Sequence, residues 1–218
     1  MSNAAERRRT IVDRIARAAR IAGRDPGEIE LICVSKGRTG SEIEALLAAG
    51  QRSFGESRVQ EALDKWPDLL ARYGDVRLHA IGRLQSNKAA DAIGLFDAIH
   101  SLDRPSLLDA LIRAAQDSGR TPPVYVQVNI GEEAQKGGVA LEELESFVGT
   151  VRASPLPLAG LMAIPPLGVE PAPYFALLAE LAQRHDVKGL SIGMSGDFEA
   201  AVMLGATAVR VGTALFED

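Results

Sequence analysis

Residues 190–216 read LSIGMSGDFEAAVMLGATAVRVGTALF. One apolar run ends in a loop containing Gly193, Ser195 and Gly196, the helical stretch FEAAVMLG follows, and a second apolar run, ATAVRVG, closes on Gly212 and Thr213. Strand, loop, helix and strand in that order form the unit of a parallel sheet, because parallel neighbours need a crossover long enough to hold a helix.

Toward the N-terminus the same unit recurs. Short apolar runs at ELICVS, RSFG, VRLHAIG, FDAIHS, VYVQVNI, LAGLMAI, KGLSIG and ATAVRVG alternate with helical stretches such as GSEIEALLAAG, PSLLDALIRAAQDSG and APYFALLAELAQRH. That makes eight strands, each but the last followed by a helix. An opening helix over about 6 to 22 places Ile11, Ile15 and Ala18 on one stripe and stops at Gly23. Helix starts are marked by Gly40-Ser41 and by Pro105-Ser106. The pattern predicts an α/β chain folded as a (β/α)8 TIM-type barrel preceded by an N-terminal helix. The stretch PPLGVEPAP at 165–173 reads as a βα loop and no linker interrupts the alternation, so residues 1–218 are expected to form a single domain.

With 24% charged residues, 46% apolar, 5% aromatic and a net charge of −5, the composition is that of a soluble globular domain. The mild acidity argues against a nucleic-acid or membrane-surface binder. The single cysteine, Cys33, excludes an internal disulfide and fits a reducing compartment. No apolar run is long enough to span a bilayer, and the charged N-terminus does not resemble a signal peptide. A cytoplasmic monomer is expected.

Chemistry in a βα barrel sits where the carboxyl ends of the strands converge. The polar residues at those positions are Lys36, Glu56, His79, Ser86, Asn87, His100, Ser101, Asn129, Met162, Ser195, Gly212 and Thr213, with Arg210 one step inside the last strand. Alternation puts Lys36 on one face with Ile32 and Val34, and Cys33 on the other. In the window LICVSKGRTG alone, Lys36 reads as a charged strand end reaching into water. Facing neutral hydrogen-bonding groups, it is placed to act as an amine nucleophile. Glycines in the loops after strands seven and eight let backbone N–H groups approach a phosphate. Ser195 could equally be an N-cap, and Asp197 and Glu199 read as an acidic first turn complementing the helix dipole. Arg210 shares a face with Ala206 and Ala208, which leave room beside a long cation, so it either pairs inside the barrel or meets a ring nitrogen.

A lysine amine, a phosphate cradle and a cation for a ring nitrogen together describe pyridoxal 5′-phosphate. The sequence resembles the pyridoxal-phosphate homeostasis proteins, barrels of PLP fold type III similar to the N-terminal domain of alanine racemase. The resemblance rests on VSK (34–36), FGESRVQEA (54–62), HAIGRLQSNK (79–88), HSLD (100–103), QVN (127–129), KGGV (136–139), GLMAIPP (160–166) and the 190–216 stretch. It implies that Lys36 carries a Schiff base, that Ser195, Gly196, Gly212 and Thr213 bind the phosphate, and that Arg210 meets the pyridine nitrogen, with His79, Asn129 and Met162 completing the cofactor contacts. Ser57, Arg83, Gly37 and Gly40 depart from the usual family residues. Racemases of this type use a second base, a tyrosine brought by a C-terminal β-domain, whereas this chain stops just after its eighth strand. None of Tyr73, Tyr125 and Tyr174 is obviously that base, although Tyr125 shares a strand face with Gln127 and Asn129. The expected function is therefore non-catalytic binding of pyridoxal 5′-phosphate, held or delivered to apo PLP-dependent enzymes in cofactor homeostasis. The alternatives are a fold-type III enzyme such as an amino-acid racemase, and a Schiff-base aldolase acting on sugar phosphates.

Overall fold

The strands are only three to five residues long, and all are parallel. The structure, a computed structural model, describes residues 3–217. The strands are β1 (Glu30–Val34), β2 (Ser53–Glu56), β3 (Arg77–Ala80), β4 (Ala98–Leu102), β5 (Val124–Gln127), β6 (Leu158–Met162), β7 (Gly189–Ser191) and β8 (Ala208–Val211), closed in sequence order as a barrel. Helices α1 (Asn3–Ile21), α2 (Gly40–Ala48), α3 (Val59–Arg72), α4 (Ala89–Leu95), α5 (Pro105–Ser118), α6 (Leu144–Arg152), α7 (Ala172–Arg184), α8 (Phe198–Met203) and α9 (Thr213–Phe216) surround it. The last strand is thus followed by a helix too, of four residues. Among the described residues no helix is long and apolar enough to cross a membrane.

Local chemistry accounts for the boundaries. Thr39, one residue before the expected start, caps α2 through a reciprocal capping box with Glu42. Pro105 occupies the first turn of α5, and Gly119 at φ 72° ends it. Ile11, Ile15 and Ala18 form the buried stripe of α1, which packs against α8 and α9.

Because side chains alternate along a strand, each strand serves two cores. Outward residues Cys33, Phe54, Leu78, Ile99, Val126, Leu161, Leu190 and Val209 join one continuous apolar layer with Leu47, Trp66, Ile93, Leu111, Val148 and Leu178 of the helices. Each such aliphatic or phenyl side chain contributes roughly 1.5–3 kcal/mol by leaving water. The inner face is different. Register pairs Ile32 with Arg210, Gly55 with His79, His79 with Ala98, and Met162 with Ser191, so these residues point into the barrel together.

Glycine makes space on that inner face. A Cβ on Gly160 would lie 2.3 Å from the Gly189 carbonyl oxygen and 2.6 Å from the Tyr125 ring. The freed volume holds the Tyr125 ring, stacked on His100 with centroids 4.1 Å apart. Gly160→Ala should therefore cost on the order of 1–3 kcal/mol in urea unfolding. Gly149→Ala, at an exposed position of α6 where a Cβ meets nothing within 4 Å, should instead stabilise by up to about 1 kcal/mol.

Candidate functional site

Arg210 is the organising group of the barrel interior. It is 4% exposed. One terminal nitrogen donates to the Ser191 carbonyl and to Ser191 Oγ, both at 2.6 Å, and the other donates to the Ala163 carbonyl at 3.0 Å. Among the described residues no carboxylate touches it, so a buried cation is held there by neutral oxygens. Burial pulls its pKa down to about 10, with Asp197 acting weakly in the opposite direction. Of its five N–H groups, Nε–H and one terminal N–H find no acceptor among the described residues.

Below Arg210 a single file of polar groups runs through the barrel. His100 Nδ1 lies 2.8 Å from Ser191 Oγ, His100 Nε2 lies 3.0 Å from His79 Nδ1, and His79 Nε2 lies 3.5 Å from Glu30 Oε1. Burial holds His100 well below its ordinary pKa, with His79 and Arg210 adding to the effect, so its ring is neutral. The two ends are chemically fixed. Arg210 can only donate, so Ser191 Oγ accepts from it, and an ionised Glu30 can only accept from the groups around it. Burial would raise the Glu30 carboxyl, but His79, Ser53 and Arg77 outweigh it and bring it to about 2.

At the carboxyl end, the loops after β7 and β8 meet. Ser195 Oγ accepts from the Gly212 N–H at 3.2 Å, so Ser195 ties the two loops together instead of capping α8. Asp197 is the residue at that cap, and its side chain accepts from the Met194 N–H at 2.6 Å. The N–H groups of Ser195, Gly196, Thr213 and Ala214 find no acceptor among the described residues. Ser195, Thr213 and Ala214 border a cleft of about 570 Å³ whose other wall is α1, with Arg7, Thr10 and Arg14. Arg7 donates to the Leu215 carbonyl and Arg14 pairs with Glu199 at 2.7 Å, so the Glu199 carboxylate is neutralised by α1.

Lys36 does not continue the strand. β1 stops at Val34, and Ser35–Arg38 form a turn closed by the Arg38 N–H on the Ser35 carbonyl, with Gly37 at φ 70°. Lys36 occupies the second position of that turn, exposed, and its ammonium makes no hydrogen bond or ion pair with a described residue. Met162 ends β6 inside the barrel and is fully buried.

Other expected members fall elsewhere. His79 lies below His100 and reaches Arg210 only through His100 and Ser191. Asn129 spends its carboxamide on the loop, accepting from the Glu133 N–H and donating to the Glu133 carbonyl. Glu56 faces α3, where Trp66 Nε1 donates to it at 2.9 Å, and Ser101 is buried on the outward face of β4 without a partner. Parity explains both, because each is one residue out of step with an inward neighbour, Gly55 or His100. Tyr125 stacks deep in the barrel with its hydroxyl pKa raised by burial. Ser191 and Glu30 are not among the residues that the strand-end pattern singles out. Ser191 shares inward parity with Gly193, and Glu30 shares it with Ile32, the only local signals available.

Residues 9–218 match the family model described as alanine racemase, N-terminal domain. The pyridoxal phosphate homeostasis protein of Pseudomonas aeruginosa is 41% identical over 226 residues, covering 99% of this chain and 96% of that one. PipY of Synechococcus elongatus, solved with PLP bound, is 39% identical with a TM-score of 0.80, covering 93% of this chain and 99% of that one. Alanine racemase of Bartonella henselae shares the fold, with a TM-score of 0.68 at 16% identity, over 94% of this chain and 58% of that one.

The depressed Glu30 carboxyl predicts a pH signature. Its folded pKa lies below its ordinary value, so its stabilisation is fully present above about pH 5 and is lost as pH falls toward 2. In urea unfolding, wild type should exceed Glu30→Gln by on the order of 2–3 kcal/mol at pH 7, and the gap should narrow steadily at pH 4 and pH 3. A pH-independent gap would contradict the assignment.

Proposed function

Since the chain belongs to the pyridoxal phosphate homeostasis proteins, within the family of the alanine racemase N-terminal domain, we propose that it binds pyridoxal 5′-phosphate at the carboxyl end of the barrel, with Lys36 as the covalent attachment point. It holds the cofactor or hands it to apo PLP-dependent enzymes without significant turnover of its own, working as a single-domain monomer in the cytoplasm.

The observation that carries this reading is the pairing of unfilled donors at two places. A buried guanidinium with two free N–H groups suits a neutral ring nitrogen, an acceptor that brings no second charge into the barrel. The unpaired N–H groups of Ser195, Gly196, Thr213 and Ala214, gathered by the Ser195 to Gly212 link, suit a phosphate. When bound, pyridoxal phosphate supplies an aldehyde that a lysine amine captures reversibly with release of water, and a ring that can serve as an electron sink.

The chain's own residues argue for carriage over catalysis. Arg210 donates and cannot return a proton, so it keeps its partner nitrogen unprotonated and the electron sink weak. The hydrogen bonds from Arg210 to Ser191 and Ala163 fix the position of its guanidinium. Tyr125 is stacked inside the barrel, Tyr73 ends α3 and Tyr174 sits in α7, so no tyrosine of the described residues stands at the mouth as an opposing base. Absence of one well-placed base alone lowers a rate by on the order of 10²–10⁴.

Purified protein titrated with pyridoxal 5′-phosphate should develop a visible band that borohydride bleaches, and Lys36→Ala should abolish the band without unfolding the protein. Pyridoxal without the phosphate should bind at least about tenfold more weakly. Deuterium exchange at Cα of L-alanine, followed by NMR at stoichiometric protein, should proceed far below a dedicated enzyme's rate. Enzyme-like exchange abolished by Lys36→Ala would establish a racemase instead, and a colourless protein active on sugar phosphates would establish an aldolase.

A further inference from the structure

The turn that carries Lys36 is anchored from behind by groups that never reach the barrel mouth. Lys65, on α3 and with its side chain 11% exposed, sends its ammonium between strand ends β1 and β2. There it donates to the Ser35 carbonyl at 2.8 Å and reaches the Arg38 carbonyl at 3.4 Å, the first and last residues of the turn. Glu61, one helical turn before Lys65, accepts from the Gly37 N–H at 2.5 Å, the residue directly after Lys36. Three backbone groups flanking Lys36 are thus held by two side chains of α3.

Those two side chains are themselves fixed. Lys65 pairs with Glu56 at 2.7 Å and with Glu61 at 3.1 Å. Glu56 Oε1, fully buried, also accepts from Ser35 Oγ at 2.8 Å and from Trp66 Nε1 at 2.9 Å. Ser35 is therefore bound through its side chain to the carboxylate and through its carbonyl to the ammonium of one ion pair. A plain ion pair joining helix to barrel would need none of the three bonds to the turn backbone. Gly37 requires the help, because a glycine at φ 70° has the widest choice of alternative conformations and would otherwise let its neighbour's side chain swing.

We propose that Lys65 and Glu61 are positioning residues for Lys36. They hold the Ser35–Arg38 turn in the one conformation that aims the Lys36 side chain over the barrel mouth, and Glu56 is the fixed point against which Lys65 is braced. The inference rests on Lys36 being the attachment point. It adds that the reactivity of that lysine is set by α3 from outside the barrel.

The test separates capture from binding. Two variants are compared with wild type: Lys65→Met, which keeps the aliphatic stem, and Glu61→Ala, which removes the hold on Gly37 and leaves the buried Lys65–Glu56 pair in place. The rate of covalent attachment is read from the visible band on mixing with pyridoxal 5′-phosphate, and its site from the mass of the borohydride-fixed peptide. Affinity without covalent chemistry is read with pyridoxine 5′-phosphate, whose alcohol cannot react with an amine. Both variants should attach the aldehyde about tenfold more slowly and bind pyridoxine 5′-phosphate as wild type does, and a third variant, Lys65→Arg, which keeps the cation, should recover part of the rate lost in Lys65→Met. Wild-type attachment rates in both variants, or a parallel loss of pyridoxine 5′-phosphate binding, would overturn the positioning role. Lys36→Ala distinguishes the two levels: if it still captures the aldehyde at the same peptide count and rate, the attachment assignment itself fails, whatever α3 does.

Discussion

A guanidinium inside a barrel with no carboxylate beside it is the constraint around which the interior is arranged. Arg210 cannot shed its charge near neutral pH even with its pKa lowered by burial, so every neighbour must offer an oxygen or stay neutral. Ser191 offers two oxygens and Ala163 one. His100, next in line, is held neutral by the same burial and by the cation above it. The compensating negative charge is displaced to the far end, at Glu30 beside Arg77 and Ser53. On its upper side Arg210 keeps two N–H groups without an acceptor among the described residues.

The same separation of charge runs across the barrel wall. Inside are Arg210, two histidines and Tyr125; outside, between wall and α3, are Glu56 and Lys65. Neither set contacts the other. Each offsets the cost of burying charge locally, Glu56 Oε1 by accepting two hydrogen bonds and pairing with Lys65, and Arg210 by donating three. Glu56 Oε2 is the exception, buried without a partner. The small inner residues Gly55, Ala98, Gly160, Gly189 and Ala208 are the counterpart of this arrangement, since the polar rings need the volume that larger aliphatic side chains would fill.

Two regions around the mouth are built in different ways. On the β7 and β8 side, backbone donors are presented by glycine-containing loops cross-linked through Ser195, with α1 as an outer wall. On the β1 side, a flexible turn is made rigid by side chains from α3. The first needs only the chain's own local conformation, whereas the second depends on α3 docking correctly against the barrel.

Much of this was readable from the chain itself. Eight apolar runs separated by amphipathic helices point to a parallel α/β sheet with both faces covered, and eight alternations in this length favour its closure as a barrel over an open doubly wound sheet. The glycine loops after the last two strands and the long cation beside alanines were equally legible, since backbone approach and side-chain volume are properties of residue type. Tertiary structure alone decided which polar residues belong to one group. Glu56 and Ser101 read like mouth residues, but single-residue parity at the ends of four- and five-residue strands sends them outward, and a strand that stops at Val34 rather than Lys36 turns a strand residue into a turn residue. The file from Arg210 to Glu30 joins strands one, three, four, seven and eight, and the brace on Lys36 comes from a helix some thirty positions on. Hydrogen bonds across such separations depend on distances that only closure of the barrel sets, so no local pattern in the sequence records them.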